Sequence, residues 1–139
     1  MKNLLLDTDV IMDFLGKREP FYKSASSILA KCESGIVKGY LTPVIISNIN
    51  YLNRKFATRE ATIEKMGMLL TFLGILDMNR SIVIQALLSD FKDFEDALQH
   101  FSAIANGEID CIVTRNKKDF KTSSIAVFEP SEFLRIIKN

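Results

Sequence analysis

The sequence has 139 residues, 47% of them hydrophobic, and a formal net charge of +1, which is the size and composition of one globular domain with its own core. A charge this close to zero argues against a protein that holds nucleic acid by bulk electrostatics, so such contacts would need local basic clusters. No apolar run is long enough to span a bilayer, the N-terminus does not have the pattern of a signal peptide, and the two cysteines have no metal-ligand spacing. We therefore expect a cytoplasmic protein with reduced cysteines and no membrane association.

Strand and helix patterns alternate along the chain. The first strand is predicted at Leu4–Leu6, because three consecutive leucines suit a strand that is buried on both faces. Further strands are predicted at 39–41, 74–77, 109–114 and 125–128, and helices at 10–15, 22–33, 43 to about 55, 59–72, 81–88, 93–106 and 131–137. This order predicts a single domain over residues 1–139, an α/β fold built as a three-layer α/β/α sandwich around a mainly parallel sheet of about five strands.

Three acidic positions stand at predicted ends of strands and helices. Asp7 follows the first strand, Asp96 lies in the first turn of the helix that starts near Asp93, and Asp119 follows the fourth strand. Because ligands bind at the carboxyl ends of parallel strands, we expect Asp7 and the segment after Thr114 to meet. Several carboxylate and amide oxygens on one edge suit Mg²⁺ or Mn²⁺, and such a metal can polarise a phosphoryl oxygen and activate water.

Each of these positions also has a purely structural explanation. Asp is a favoured N-cap, so Asp7 or Asp9 could serve only to cap the following helix, and capping is the favoured sole role for Asp93. A negative charge at Asp96 would suit the helix dipole, although a functional role is favoured there. Lys117, Lys118 and Lys121 could form a solvated face, or they could hold a phosphate backbone beside an acidic metal site.

Taken together, the motifs resemble those of the PIN domain family. The opening LLLDTDVIMD at 4–13 is similar to the first motif of that family, DAL at 96–98 to the third, IVTRNKKDF at 112–120 to the fourth, and VFEPSEFL at 127–134 to the last strand and helix. The resemblance covers essentially the whole chain. It implies a metal-dependent ribonuclease that acts on single-stranded RNA, as in the many family members that are toxins of bacterial toxin–antitoxin pairs. It also implies an antitoxin partner and a homodimer.

The resemblance also implies roles for particular residues of this sequence. Asp7, Asp96 and Asp119 would be the catalytic acids and would hold Mg²⁺ or Mn²⁺. Beyond what the resemblance implies, we predict that Arg115 and Lys117 contact RNA phosphates. The residues expected to support the site are Thr8, Asp9, Asn48, Asp93, Thr114 and Asn116.

One position departs from the pattern of the family. The family usually has a Glu on the helix after the second strand, and this chain has Asn48 there. An amide oxygen can ligate a metal, but an amide adds no negative charge and cannot act as a base. Asp9 stands where the family usually has Asn, which could partly restore the charge. The departure leaves open the alternative that the protein is a catalytically weakened PIN-like domain, which binds RNA or a partner without cutting RNA.

Two other classes share parts of the pattern. The segment DTDV at 7–10 fits the opening of haloacid dehalogenase-like phosphatases, but their later acidic pair is absent and the chain is short for that fold. A receiver-type signalling domain would use Asp77 as phosphoacceptor and Thr114 as switch residue. A receiver also needs a Lys before the late proline, where this chain has Glu129. The favoured prediction is therefore the PIN-type ribonuclease.

Overall fold

The chain is organised around an all-parallel sheet in this computed structural model, which describes residues 2–137. Its five strands are β1 (Asn3–Leu6), β2 (Lys38–Leu41), β3 (Gly74–Ile75), β4 (Cys111–Val113) and β5 (Ala126–Phe128). They lie in the order β3-β2-β1-β4-β5, and each neighbouring pair is parallel. The predicted α/β class with a parallel sheet is confirmed.

Helices connect the strands and cover the sheet. Within residues 2–137 they are α1 (Thr8–Leu15), α2 (Tyr22–Glu33), α3 (Pro43–Asn53), α4 (Arg59–Leu69), α5 (Arg80–Leu87), α6 (Phe94–Asn106) and α7 (Pro130–Ile137), with a 3-10 turn at Lys117–Phe120. Leu4, Leu5 and Leu6 are all fully buried. A central strand without exposed side chains requires helices on both faces of the sheet, as the sequence pattern predicts. Among the described residues, no helix combines the length and apolar character needed to cross a membrane.

Local sequence signals begin and end several of these helices. The hydroxyl of Thr42 accepts a hydrogen bond from the backbone N–H of Ile45, and Pro43 occupies the first turn of α3, as predicted. At the end of α6, Gly107 has a φ of 81°, a left-handed conformation that glycine adopts without steric cost. The Thr42 cap starts α3 directly after β2, beside the carboxyl edge of the sheet where the site lies.

The predicted and observed elements differ mainly at their ends. The helix predicted to reach residue 72 ends at Leu69, because the chain must turn to bring Gly74 alongside Tyr40 of β2. Strand β3 has two residues rather than four, since it pairs only at the edge of the sheet. The 3-10 turn at Lys117–Phe120 was not predicted, because an isolated turn has no periodicity to identify it.

The strand order excludes the receiver alternative. In a receiver the third strand lies beside the first, in the order 2-1-3-4-5. Here β3 lies at the edge of the sheet next to β2, and β4 lies beside β1. Asp77 therefore follows an edge strand, remote from the centre of the sheet, and is not a phosphoacceptor of that class.

Candidate active site

An acidic cleft opens at the carboxyl end of β1. Its volume is about 280 Å³, and it contains all three predicted catalytic acids together with most of the predicted supporting residues. The polar and charged residues that line it are Asp7, Thr8, Asp9, Arg18, Asn48, Asp93, Glu95, Asp96, Gln99, Asn116 and Asp119. The topology produces this convergence, because β1 and β4 are neighbours and both end at this edge.

Asp7 links the two central strands and also begins the first helix. Its backbone N–H donates to the carbonyl of Val113 at 3.0 Å. Its Oδ1 accepts from the N–H of Thr8 at 2.8 Å, which caps α1. Its Oδ2 accepts from the hydroxyl of the fully buried Thr114 at 2.8 Å. Asp7 is therefore a helix cap and a wall of the cleft at once, so the two explanations of this residue do not exclude each other.

Asp9 holds the loop that follows β4. Its Oδ2 accepts from the backbone N–H of Arg115 at 3.1 Å and from Nδ2 of Asn116 at 3.2 Å. The N–H of Asn116 donates in turn to the hydroxyl of Thr114 at 3.0 Å. The other oxygen, Oδ1, is buried and has no hydrogen-bond partner in residues 2–137. These contacts position Asn116 at the cleft.

The acids of α6 and of the 3-10 turn form the opposite side of the cleft. Asp93 Oδ1 accepts from the N–H of Asp96 at 3.0 Å, so Asp93 is the N-cap that the sequence suggests. It also lines the cleft, together with the half-buried Asp96. Asp119 is held by its backbone N–H, which donates to the carbonyl of Asn116 at 3.0 Å.

Burial and nearby negative charges raise the pKa values of three acids in the cleft, Asp7, Asp9 and Asp96. Burial, followed by the charges of Asp93, Asp7 and Asp119, raises the pKa of Asp96 to about 7. Burial and the charge of Asp7 raise the pKa of Asp9 to about 6. Burial also raises the pKa of Asp7, against the lowering effect of its hydrogen bonds with Thr114 and Thr8. The predicted acids are therefore close enough to sense one another's charge.

These shifts predict how the stability of the metal-free protein depends on pH. A carboxyl whose pKa is higher in the folded state binds more protons there, so its stabilising contribution is complete below pH 4 and is lost as the pH rises through the folded pKa. For Asp9 and Asp96 that window runs from about pH 4 to pH 7. We expect the free energy of unfolding in urea, measured with chelator, to fall across this window more steeply in the wild type than in Asp96→Asn. Parallel pH profiles for the two proteins would contradict the raised pKa of Asp96.

The donor chemistry of the cleft fits a hard divalent cation. Among residues 2–137, no group of three or more His, Cys, Asp or Glu side chains already has the spacing of metal ligands. The cleft nevertheless offers the carboxylate and amide oxygens that Mg²⁺ and Mn²⁺ prefer. Burial and, to a smaller extent, neighbouring negative charges raise the pKa values of Asp7 and Asp96, and a cation would relieve that repulsion.

The two basic residues predicted to contact phosphates are engaged elsewhere. The guanidinium of Arg115 binds both oxygens of the fully buried Asp13, with Nε at 2.6 Å and Nη2 at 3.0 Å, and it lies 3.8 Å from the centre of the Phe21 ring. The ammonium of Lys117 lies 3.1 Å from Oε1 of Glu132. Neither side chain lines the acidic cleft. Arg115 instead ties the loop after β4 to α1.

Some residues around the cleft were missed by the sequence analysis, whereas Lys118 and Lys121 are among the lysines that it considered as possible phosphate contacts. A second pocket of about 300 Å³ adjoins the cleft through Asp93, Asp96 and Asp119, and its basic residues are Lys92, Lys118 and Lys121. Glu95 lines the acidic cleft itself. Its position beside Asp96 in the segment DFED was a signal for this role, whereas nothing in the sequence indicates which lysines face the acids.

A five-stranded parallel sheet with an acidic cleft at the ends of its central strands is typical of α/β proteins that bind their ligand at the carboxyl edge of the sheet. Comparison with known families identifies the family within this class. The family model described as PIN domain matches residues 3–118. The chain belongs to the PIN domain family, whose members are generally nucleases. No curated protein sequence matches the chain.

Solved structures with a similar fold include toxin–antitoxin proteins. A toxin–antitoxin complex from Klebsiella pneumoniae has a TM-score of 0.69 at 20% identity, with 91% of this chain and 97% of that chain covered. DNA-bound VapBC from Salmonella typhimurium has a TM-score of 0.67 at 16% identity, with coverages of 94% and 99%. VapC20 from Mycobacterium tuberculosis, a toxin that cleaves the sarcin–ricin loop, has a TM-score of 0.61 at 15% identity, with coverages of 78% and 86%. Identities this low support the fold alone.

Proposed function

We propose that this protein is a Mg²⁺- or Mn²⁺-dependent endoribonuclease that cuts single-stranded RNA and acts as the toxin of a toxin–antitoxin pair. The observation that carries the proposal is the position of Asp7, Asp96 and Asp119 around one cleft in a member of the PIN family. The similar fold of a toxin that cleaves the sarcin–ricin loop supports the choice of RNA as substrate.

The residues of the cleft have distinct roles in this proposal. Asp7, Asp96 and Asp119 would hold the metal ion, which when bound would polarise a phosphoryl oxygen and activate water. The buried Thr114 orients the Asp7 carboxylate through its hydroxyl. Asp9 fixes Asn116 at the cleft, where the Asn116 amide would orient the substrate. Burial and the neighbouring acids raise the pKa of Asp96 to about 7 in the metal-free cleft, and a bound cation would favour its ionised, ligating form.

The path proposed for the RNA follows the basic residues that line the two adjoining pockets. Arg18 lines the acidic cleft, and Lys118 and Lys121 line the neighbouring pocket that shares Asp96 and Asp119 with it. A strand that crosses the acids would meet positive charge on both sides, which supplies the local attraction that the net charge of the chain does not. We therefore assign the phosphate contacts to Lys118 and Lys121 rather than to Arg115 and Lys117.

Replacement of Lys118 and Lys121 by Ala is expected to weaken RNA binding and to reduce its salt dependence. Each lost contact with a single strand should lower the slope of log K against log salt by about 0.7, so the double variant should lose about 1.4. The matched control is Lys117→Ala, because Lys117 is paired with Glu132. The measurement is fluorescence anisotropy with a labelled single-stranded RNA in chelator, over a range of salt concentrations. Equal slopes for the double variant and wild type would reject this path.

The ribonuclease activity itself is tested with a labelled single-stranded RNA. We expect cleavage with Mn²⁺ or Mg²⁺, none with chelator, and recovery when metal is restored. A DNA strand of the same sequence is the matched control for substrate class. Cleavage that persists in chelator would reject the metal, and absence of cleavage with all metals and RNAs tested would favour the binding-only alternative that Asn48 suggests.

The proposed partners are an antitoxin protein and a second copy of the chain. The toxin–antitoxin complexes of similar fold support the antitoxin. The homodimer is supported by apolar side chains on and just after α5, where Leu87 is 66% and Leu88 is 81% exposed. A small DNA-binding protein encoded beside this gene would support the first partner. Sedimentation equilibrium tests the second, and a monomer at all concentrations would reject it.

A further inference from the structure

A hydrogen bond crosses the acidic cleft between α3 and α6. Nδ2 of Asn48 donates to Oε1 of Glu95 at 2.8 Å, and both residues line the cleft together with Asp96. By the resemblance described above, Asn48 stands where the PIN family is expected to have a Glu. This amide is in direct contact with a carboxylate from another helix.

We propose that Glu95 adds its carboxylate to the cation site of Asp7, Asp96 and Asp119, and that Asn48 is the positioning residue that holds Glu95 there. This inference rests on the proposed function, because it concerns the same metal site. It assigns a role to a cleft carboxylate that the sequence analysis did not select.

The chemistry of the contact explains why the two positions depend on each other. Asparagine has an N–H₂ group that donates to a carboxylate, whereas an ionised glutamate can only accept. A Glu at position 48 would place a second carboxylate within about 3 Å of Glu95, and like charges at that distance repel. A carboxylate at Glu95 therefore favours Asn over Glu at position 48.

A favourable interaction of Glu95 with the dipole of α6 does not by itself account for the contact with Asn48. Glu95 lies in the first turn of α6, where a negative charge is favourable without any partner. Its long side chain is instead held against Asn48, although ordering an exposed glutamate costs conformational entropy. Among the described residues, no lysine or arginine forms an ion pair with Glu95. Its charge is thus available to a cation in the cleft.

The first test is Mn²⁺ binding by isothermal titration calorimetry to wild type and Glu95→Gln. Glutamine has the same size and can still accept the hydrogen bond from Asn48, so the variant removes the charge alone. We expect the dissociation constant to rise by about tenfold or more, the loss typical of residues that support a metal site. The control is Glu60→Gln, which removes an exposed acid from the first turn of α4, outside the cleft, and should bind Mn²⁺ as the wild type does.

The second test moves the carboxylate back to α3. Asn48→Glu combined with Glu95→Gln reverses the hydrogen bond, because the Gln amide can donate to the new carboxylate. We expect this double variant to recover most of the Mn²⁺ affinity lost in Glu95→Gln. Asn48→Glu alone should have a lower melting temperature in chelator than the wild type, and a larger increase when Mn²⁺ is added.

The outcomes separate this inference from the proposed function. Mn²⁺ binding by the wild type with equal affinities for wild type, Glu95→Gln and Glu60→Gln would overturn the role of Glu95 and leave the metal site intact. A double variant no better than Glu95→Gln would overturn the equivalence of the two positions. Absence of Mn²⁺ binding by the wild type would overturn the proposed metal dependence and this inference with it.

Discussion

Asp7→Asn is expected to abolish most of the stabilisation that Mn²⁺ gives the folded protein and to lower ribonuclease activity by about a hundredfold, the upper end of what the loss of a supporting residue costs a metal site. The reason is the position of Asp7 at the centre of the cleft, between the strand ends of β1 and β4 and within the electrostatic reach of Asp96. Metal that binds only the folded state raises its stability by mass action, so a weaker site gives a smaller increase in melting temperature.

Asp7→Asn distinguishes the role of Asp7 in metal binding from its role as helix cap, because Asn preserves the hydrogen bond to the backbone of α1. Its side-chain oxygen can accept from Thr8, and its amide can donate to the hydroxyl of Thr114. Asp7→Asn should therefore keep or raise the stability of the metal-free protein, since it also removes a repelling charge. Asp7→Ala removes the cap as well and should cost about 1 kcal/mol with or without metal.

The measurement is thermal unfolding of the three proteins, each with chelator and with excess Mn²⁺. Lys117→Ala is a suitable control for the metal effect, because its side chain lies outside the cleft. Equal increases in melting temperature with Mn²⁺ for wild type and Asp7→Asn would show that Asp7 is only a cap, and would remove the central claim of the proposed function.

Asp13→Ala is expected to destabilise the fold by about 3 kcal/mol, the lower end of the range for breaking a buried ion pair. Asp13 is fully buried, and its two oxygens bind Arg115 and Arg18. Without Asp13, the Arg115 guanidinium would keep its contact with Phe21 but lose its counter-charge. The lower end of the range applies because 28% of the Arg115 side chain is exposed, so water can partly solvate its charge.

The matched control is Arg18→Ala, which removes the other partner of Asp13. The Arg18 side chain is 46% exposed, and an ion pair with such a residue contributes at most about 1 kcal/mol. Urea unfolding of the three proteins measures both losses. A loss for Asp13→Ala no larger than for Arg18→Ala would show that the Asp13–Arg115 pair does not hold the loop after β4 to α1.

The sequence alone predicted the parallel α/β architecture and the identity of the central strand. Leu4–Leu6 predicts a strand buried on both faces, and the helical spacings predict the covering helices, because both signals are local periodicities. The position of Asp7 directly after β1 predicted where the cleft lies, since ligands of parallel sheets bind at the carboxyl ends of the strands. The motifs resembled the PIN family, and the family model that matches residues 3–118 confirms the membership.

Only the tertiary structure decided which charged side chains share the cleft. Arg115 and Lys117 follow the same strand as the site, yet the first is drawn to the buried Asp13 and the second to Glu132. Glu95 enters the cleft because Asn48, 47 positions earlier in the chain, donates to it. Long charged side chains have many conformations of similar energy, and their choice depends on partners that are distant in sequence. Periodicity contains no information about such partners, so the acidic framework of the site was predictable and its electrostatic connections were not.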